Sequence, residues 1–328
     1  VTLLGVIHYN YGNDYMAYYD IYKSIVNVPF NFSNVIGGYV YKEPGWALIN
    51  YAFKPIGGFF MMVAVLNIIQ NVIYYRFIKN NVARSWWPVA IFIYLFSSNF
   101  YLLNFSMMRQ GLVIAVFLAM WKYIKAKKWH IALVGLILAA SVHSSALILL
   151  PFSFWGFLKM KNGKVWAIIY LVLFFFLWSA DDFLNGVFEA LIIFEEFQEY
   201  SYYLNDAESV EFGVGFLINM LPFVVSIYYL MIDKEQTEQN HQLVALATIG
   251  FMILPFGQII PLISRVGMYF GAFSICAFTD SYSIIRNRYM RWIMIGIYVA
   301  ITLYDYWNFF NNSVYADSYY HFKTIFTA

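Results

Sequence analysis

The sequence has 328 residues, 62% of them apolar and 12% charged, with 20 basic and 18 acidic side chains and a formal charge of +2. Soluble domains carry about 45–50% apolar and about 25% charged residues, so an ordinary soluble enzyme is excluded and an integral membrane protein is expected. A single cysteine, Cys276, rules out an internal disulfide and a cysteine-rich metal centre.

The chain enters on VTLLGVIH, which reads as the tail of a hydrophobic segment rather than a cleaved signal peptide, so a first span is expected ahead of it. Residues 9–55 form an external polar region containing YNYGNDYMAYYDIY and then YKEPGWALINYAFKPIGG. Glu43-Pro44 opens a short helix there, because proline suits the first helical turn and an acid complements the helix dipole. Apolar blocks then predict spans near 56–76, 86–103, 107–124, 129–141, 144–158, 165–179, 213–232, 241–262, 266–285 and 292–310, about ten helices of about 20 residues each. The fold class is therefore all-α and polytopic, with 1–328 as a single transmembrane domain.

Two stretches need closer reading. Residues 129–158 are either one long helix or two short ones folded back at SVHSS, residues 141 to 145. The hairpin places Arg76, Lys79, Arg84, Lys122, Lys125, Lys127, Lys128, Lys159, Lys161, Lys164, Lys234, Arg286, Arg288 and Arg291 on one side, which is the cytoplasmic pattern of basic residues. The second stretch, 180–211, is an external polar region with nine acids, among them Asp181, Asp182, Glu195 and Glu196, no base, and interleaved Phe and Tyr. Acids among rings suit carbohydrate, whose hydroxyls bond carboxylates and whose C–H faces stack on aromatics; a solvated loop is the plainer alternative.

With the hairpin, His8, Asp14, Glu43, Arg109, His143 and Arg265 all fall on the outer side. Ionisable groups at membrane depth are costly unless paired or functional, so this face is the candidate site. Each residue also has an ordinary reading: Glu43 as a helix-start residue, His143 as the cap of the hairpin turn, Arg109 and Arg265 as side chains snorkelling to headgroups. Arg109 has no acid between Tyr101 and Trp121 to neutralise it, and arginine is disfavoured at external helix ends, which favours function. There is no Gly-rich phosphate loop, CxxC, HExxH, outer Asp-x-Asp pair, internal repeat or nucleic-acid signature. No cofactor and no metal are expected.

YGNDYMAYYDIY, EPGWALIN, MRQGLVIAVFL, SVHSSALILL and SRVGMYF, in that order from about residue 8 to 270, resemble the landmarks of the EpsG family of exopolysaccharide polymerases, relatives of the Wzy-type O-antigen polymerases. One position departs from the family: His8 stands where an arginine usually precedes the Gly-x-Asp-Tyr stretch. The resemblance implies a multi-pass protein of the bacterial inner membrane with the C-type glycosyltransferase fold. It also implies a metal-independent polymerase that joins undecaprenyl-diphosphate-linked oligosaccharide repeat units at the periplasmic face. Donor and acceptor lipids, membrane lipids and a chain-length regulator are the implied partners. Arg109 and Arg265 are assigned to the lipid diphosphate, since the guanidinium fork binds two phosphate oxygens and stays charged. Glu43, His143 and Asp14 are the candidate bases for the acceptor hydroxyl, and Gln110, Tyr15 and Tyr269, from the same motifs, are further substrate contacts. A flippase or transporter, an O-antigen ligase and a membrane acyltransferase are the alternatives; a transporter would place its binding residues near the midplane, where this sequence has almost no charge.

Overall fold

The computed structural model describes residues 2–179, 214–232, 238–253, 256, 261–283, 285–313 and 315–326. Among these the regular structure is helical, with one isolated β-bridge between His8 and Thr324. The chain forms two compact units, one of residues 1–154 and 296–328, the other of 155–295.

The first unit begins with α1 (Thr2–Ile7), followed within the polar region by α2 (Tyr15–Asn27), α3 (Phe32–Ile36) and α4 (Pro44–Phe53). It continues through α5 (Gly58–Asn81), α6 (Trp87–Phe96), α7 (Leu103–Ser106), α8 (Met108–Lys125) and α9 (Trp129–Val142). Helix α5 shows why it forms: Phe59, Met62, Val63, Leu66, Asn67, Gln70, Asn71 and Tyr74 recur at helical spacing and are buried. Its opposite face leaves Phe60, Met61, Ile68, Ile69, Val72 and Tyr75 exposed. The buried face includes a polar ladder, where Tyr94 donates to Asn71 Oδ1 at 3.0 Å. A core of Tyr15, Tyr18, Trp46, Met62, Met108 and Val142 fastens α2, α4, α5, α8 and α9 together.

Helix α9 stops at Val142, and His143 is extended (φ −150°, ψ 113°). Ser144–Phe157 then winds as a 3-10 helix with Pro151 inside it. The ring of Phe154 stacks on Trp129 at the start of α9, with centroids 5.2 Å apart, so the chain folds back at SVHSS as the basic residues imply. Winding explains how the two arms match: 14 residues of α9 rise about 21 Å, and the 11 residues from Ser144 to Phe154 rise about 22 Å at the 3-10 pitch. Over its full 14 residues the 3-10 arm extends about 28 Å, longer than the roughly 21 Å an α-helix of this size would give.

The second unit holds α10 (Gly163–Ser179), α11 (Val214–Ile232), α12 (Glu238–Ile253), α13 (Pro261–Gly271) and α14 (Ser274–Ser283). Tyr170 donates to the carbonyl of Ala245 at 3.0 Å, tying α10 to α12. Helix α15 (Arg288–Asn311) carries the chain back into the first unit from Gly296, and α16 (Ala316–Tyr319) follows.

Among the described residues two helices, Gly58–Asn81 and Arg288–Asn311, are long and apolar enough to cross a membrane; Trp129–Val142, Ser144–Phe157 and Gly163–Ser179 are shorter apolar helices. Two of the expected spans are interrupted. The block 86–103 leaves helical geometry after Phe96, and 266–285 is divided between α13 and α14 at Gly271–Phe273. The first break falls on Ser97-Ser98-Asn99, a polar dip inside the apolar block, whereas the second, at Ala272-Phe273, is apolar and hydropathy alone does not reveal it. The acidic stretch 180–211 lies outside the described residues.

Candidate functional site

The site is built at the meeting of three helix ends. Pro44 occupies the first turn of α4 and Glu43 precedes it in extended conformation (φ −106°, ψ 99°), so the helix starts where the sequence predicts. The Glu43 side chain makes no capping hydrogen bond to its own helix. It turns away instead and is 2% exposed. Its Oε2 pairs with Arg109 Nη1, at the second residue of α8. Its Oε1 lies 3.1 Å from His143 Nδ1 and accepts the Ser144 backbone N–H at 3.1 Å.

Gly45 makes this approach possible. A Cβ there would lie 2.8 Å from the Ser141 carbonyl carbon and 2.9 Å from its oxygen, so any side chain would push α4 off the end of α9. Gly12 does similar work beneath: its φ of 110° is open to glycine, and its backbone crosses close to the Phe105 carbonyl.

Arg109 is not the isolated cation that its local sequence suggests. Its counter-charge comes from 66 residues upstream. Nε–H donates to the Tyr18 hydroxyl at 3.4 Å, and the rings of Tyr18 and Tyr41 each lie 5.6 Å from Cζ. Two aromatic faces therefore steady the guanidinium. Burial pushes the Glu43 carboxyl upward, but the hydrogen bond from His143, the Arg109 charge and the Ser144 N–H outweigh it and hold the group below the ordinary carboxylate value. An ionised Oε1 only accepts hydrogen bonds, so Nδ1 of His143 carries the proton in that contact and Nε2 is the basic position of the ring.

The structure thus brings together Glu43, His143 and Arg109. Asp14 stands at the start of α2, where its backbone N–H donates to Ser106 Oγ at 3.1 Å; Tyr18, which receives Arg109, is one turn further along. Gln110 follows Arg109 and is 2% exposed. Tyr15 is directed elsewhere: its hydroxyl donates to the His8 carbonyl at 3.5 Å and its ring packs on Phe59. Arg265 and Tyr269 lie on α13 in the second unit, and Tyr269 is fully buried. His8 is buried with Nδ1 2.8 Å from the Gly5 carbonyl; loss of solvation lowers its pKa to about 4, so this position supplies no cation at neutral pH. Among the described residues no three His, Cys, Asp or Glu side chains converge as a metal cluster would.

Tyr18, Tyr41, Gly45 and the Ser144 N–H were not singled out from sequence. Spacing holds a signal for one of them: Tyr18 is four residues from Asp14 at the start of a helix, which puts the pair on one side.

Residues 1–324 match the profile of the EpsG family, essentially the whole chain. No curated protein and no solved structure matches it.

Proposed function

The chain belongs to the EpsG family, a family of Wzy-type polymerases, and from that premise we propose that it joins undecaprenyl-diphosphate-linked oligosaccharide repeat units at the periplasmic face of the bacterial inner membrane. The multi-pass placement is supported by the composition, by the one-sided basic residues and by the apolar side chains left exposed along α5, α9, α10 and α15.

The observation that carries the reading is the Glu43 carboxylate held between Arg109 and His143. In the reaction, a hydroxyl of one lipid-linked unit attacks the anomeric carbon of the other. A new glycosidic C–O bond forms while the C–O bond to the lipid diphosphate breaks. His143 Nε2 takes the hydroxyl proton, and Glu43 orients the ring through Nδ1 and offsets the imidazolium charge that develops. The lipid diphosphate leaves as an anion stabilised by Arg109. Before the donor arrives its contacts to Glu43 and Tyr18 use two of its five N–H donors; the other three, with the one that Glu43 yields, are assigned to phosphate oxygens. Arginine rather than a divalent ion carries the charge in this scheme.

The test is a reconstituted reaction: purified protein with lipid-linked repeat units, products resolved by size. A ladder of lengthened lipid-linked glycan is expected. Glycan moved to another lipid core indicates a ligase, and unit translocated without lengthening indicates a flippase; either result rejects the polymerase.

A further inference from the structure

Arg109 faces a problem of selection. In a membrane it is surrounded by phospholipid phosphates, singly charged and present in great excess over any lipid-linked sugar, and these are what an arginine at a headgroup level ordinarily binds. Yet the Arg109 guanidinium is already occupied by a carboxylate that is itself nearly inaccessible.

We propose that Glu43 is the specificity-determining residue of the donor site: it occupies Arg109 as an internal anion, which a phosphodiester headgroup does not displace and a diphosphate does. This rests on the reading of Arg109 as the lipid-diphosphate ligand.

The reasoning is an exchange. A phosphodiester brings one negative charge, the same as the carboxylate it would replace. Either exchange takes the cation from a buried carboxylate, a cost that a single incoming charge does not offset. A diphosphate brings at least two charges and several oxygens, so it satisfies Arg109 more fully than Glu43 does, and the paired geometry of the guanidinium fork suits it. Glu43 does not become unpartnered in the exchange, because His143 Nδ1 and the Ser144 N–H, each 3.1 Å from Oε1, stay with it. The carboxylate is thus held well enough to compete with a weak anion and has a place to remain when a strong one arrives. Tyr18 and Tyr41 keep the guanidinium in position during the exchange.

The experiment compares two soluble probes on the detergent-purified full chain: farnesyl diphosphate, and dihexanoyl phosphatidylglycerol as the singly charged phosphodiester. Wild type should prefer the diphosphate by a wide margin. Glu43→Gln should strengthen binding of the phosphodiester about tenfold or more and narrow the ratio of the two affinities accordingly. Glu43→Asp, which retains the charge, should keep most of the preference. The ratio within one variant is insensitive to the fraction folded. If the ratio is the same in wild type and Glu43→Gln while Arg109→Ala still abolishes diphosphate binding, the selection role fails and the donor site stands. If Arg109→Ala leaves farnesyl diphosphate binding unchanged, the donor-site reading itself fails.

Discussion

Three contacts converge on two oxygens of Glu43, and each responds differently to substitution. Replacing His143 by alanine removes the proposed base without touching the Arg109 pair, so turnover should fall by a factor of about 10²–10⁴ with donor binding largely kept. Near-normal glycan length from His143→Ala would move the base elsewhere, with Asp14 the next candidate. Arg109 and Glu43 are coupled in stability as well as chemistry. Arg109→Leu leaves a buried, ionised carboxylate without its cation and should cost on the order of 3–5 kcal/mol. Adding Glu43→Gln to that variant should recover part of the loss, because the stranded charge is gone; thermal denaturation of the three proteins measures it, and additive losses would refute the coupling. The same pair sets an acid limit. The Glu43 carboxyl titrates lower in the folded chain than its ordinary value of 4.5, so its contribution is complete above that value and disappears as pH falls through the lower folded value. The stability difference between wild type and Glu43→Gln should therefore be constant near neutrality and shrink only below about pH 4.5.

At the scale of elements, Gly45 and the fold-back at His143 decide whether the charges meet. Gly45→Ala places a carbon against the Ser141 backbone, which has no flexible end to move aside. It should lower both thermal stability and activity, with overpacking of this kind typically costing about 1–3 kcal/mol. Unchanged activity in Gly45→Ala would show that the spacing of α4 and α9 is not what aligns Glu43 with His143. The orientation of the hairpin is tested by cysteines placed in a Cys276→Ser background: Ser145→Cys should react with an impermeant thiol reagent from outside the cell and Lys161→Cys should not. Helix α4 was legible in the sequence because it has a local cause, Pro44 after Glu43, and the fold-back because it alone keeps the lysines and arginines from Arg76 to Arg291 on one side. The 3-10 winding of Ser144–Phe157 was not, since it answers to the length of α9 alongside it. The pairing of Arg109 was hidden for a related reason: a window around residue 109 contains no acid, and only tertiary packing of α2, α4, α8 and α9 brings Glu43 to it.

For the whole molecule, composition and the order of five short motifs carried the all-helical class and the family, and residues 1–324 match that family. Length and hydropathy carried less. Blocks of similar apolarity fold as one long helix in α5 but as broken pieces at 86–103, where Ser97-Ser98-Asn99 interrupt the run, and at 266–285, where the turn at Ala272-Phe273 is itself apolar. Arg265 lies on α13 of the second unit, and Arg265→Ala should impair polymerisation, read as the length of the glycan ladder. The central claim is that arginine neutralises the departing diphosphate beside the Glu43–His143 pair. Its most direct test is polymerisation of lipid-linked repeat units by the purified protein in excess chelator. Wild type should build a full ladder there, whereas Arg109→Ala should build none, with or without added magnesium. Loss of the wild-type ladder in chelator with recovery on magnesium or manganese, or a full ladder from Arg109→Ala, would contradict the account.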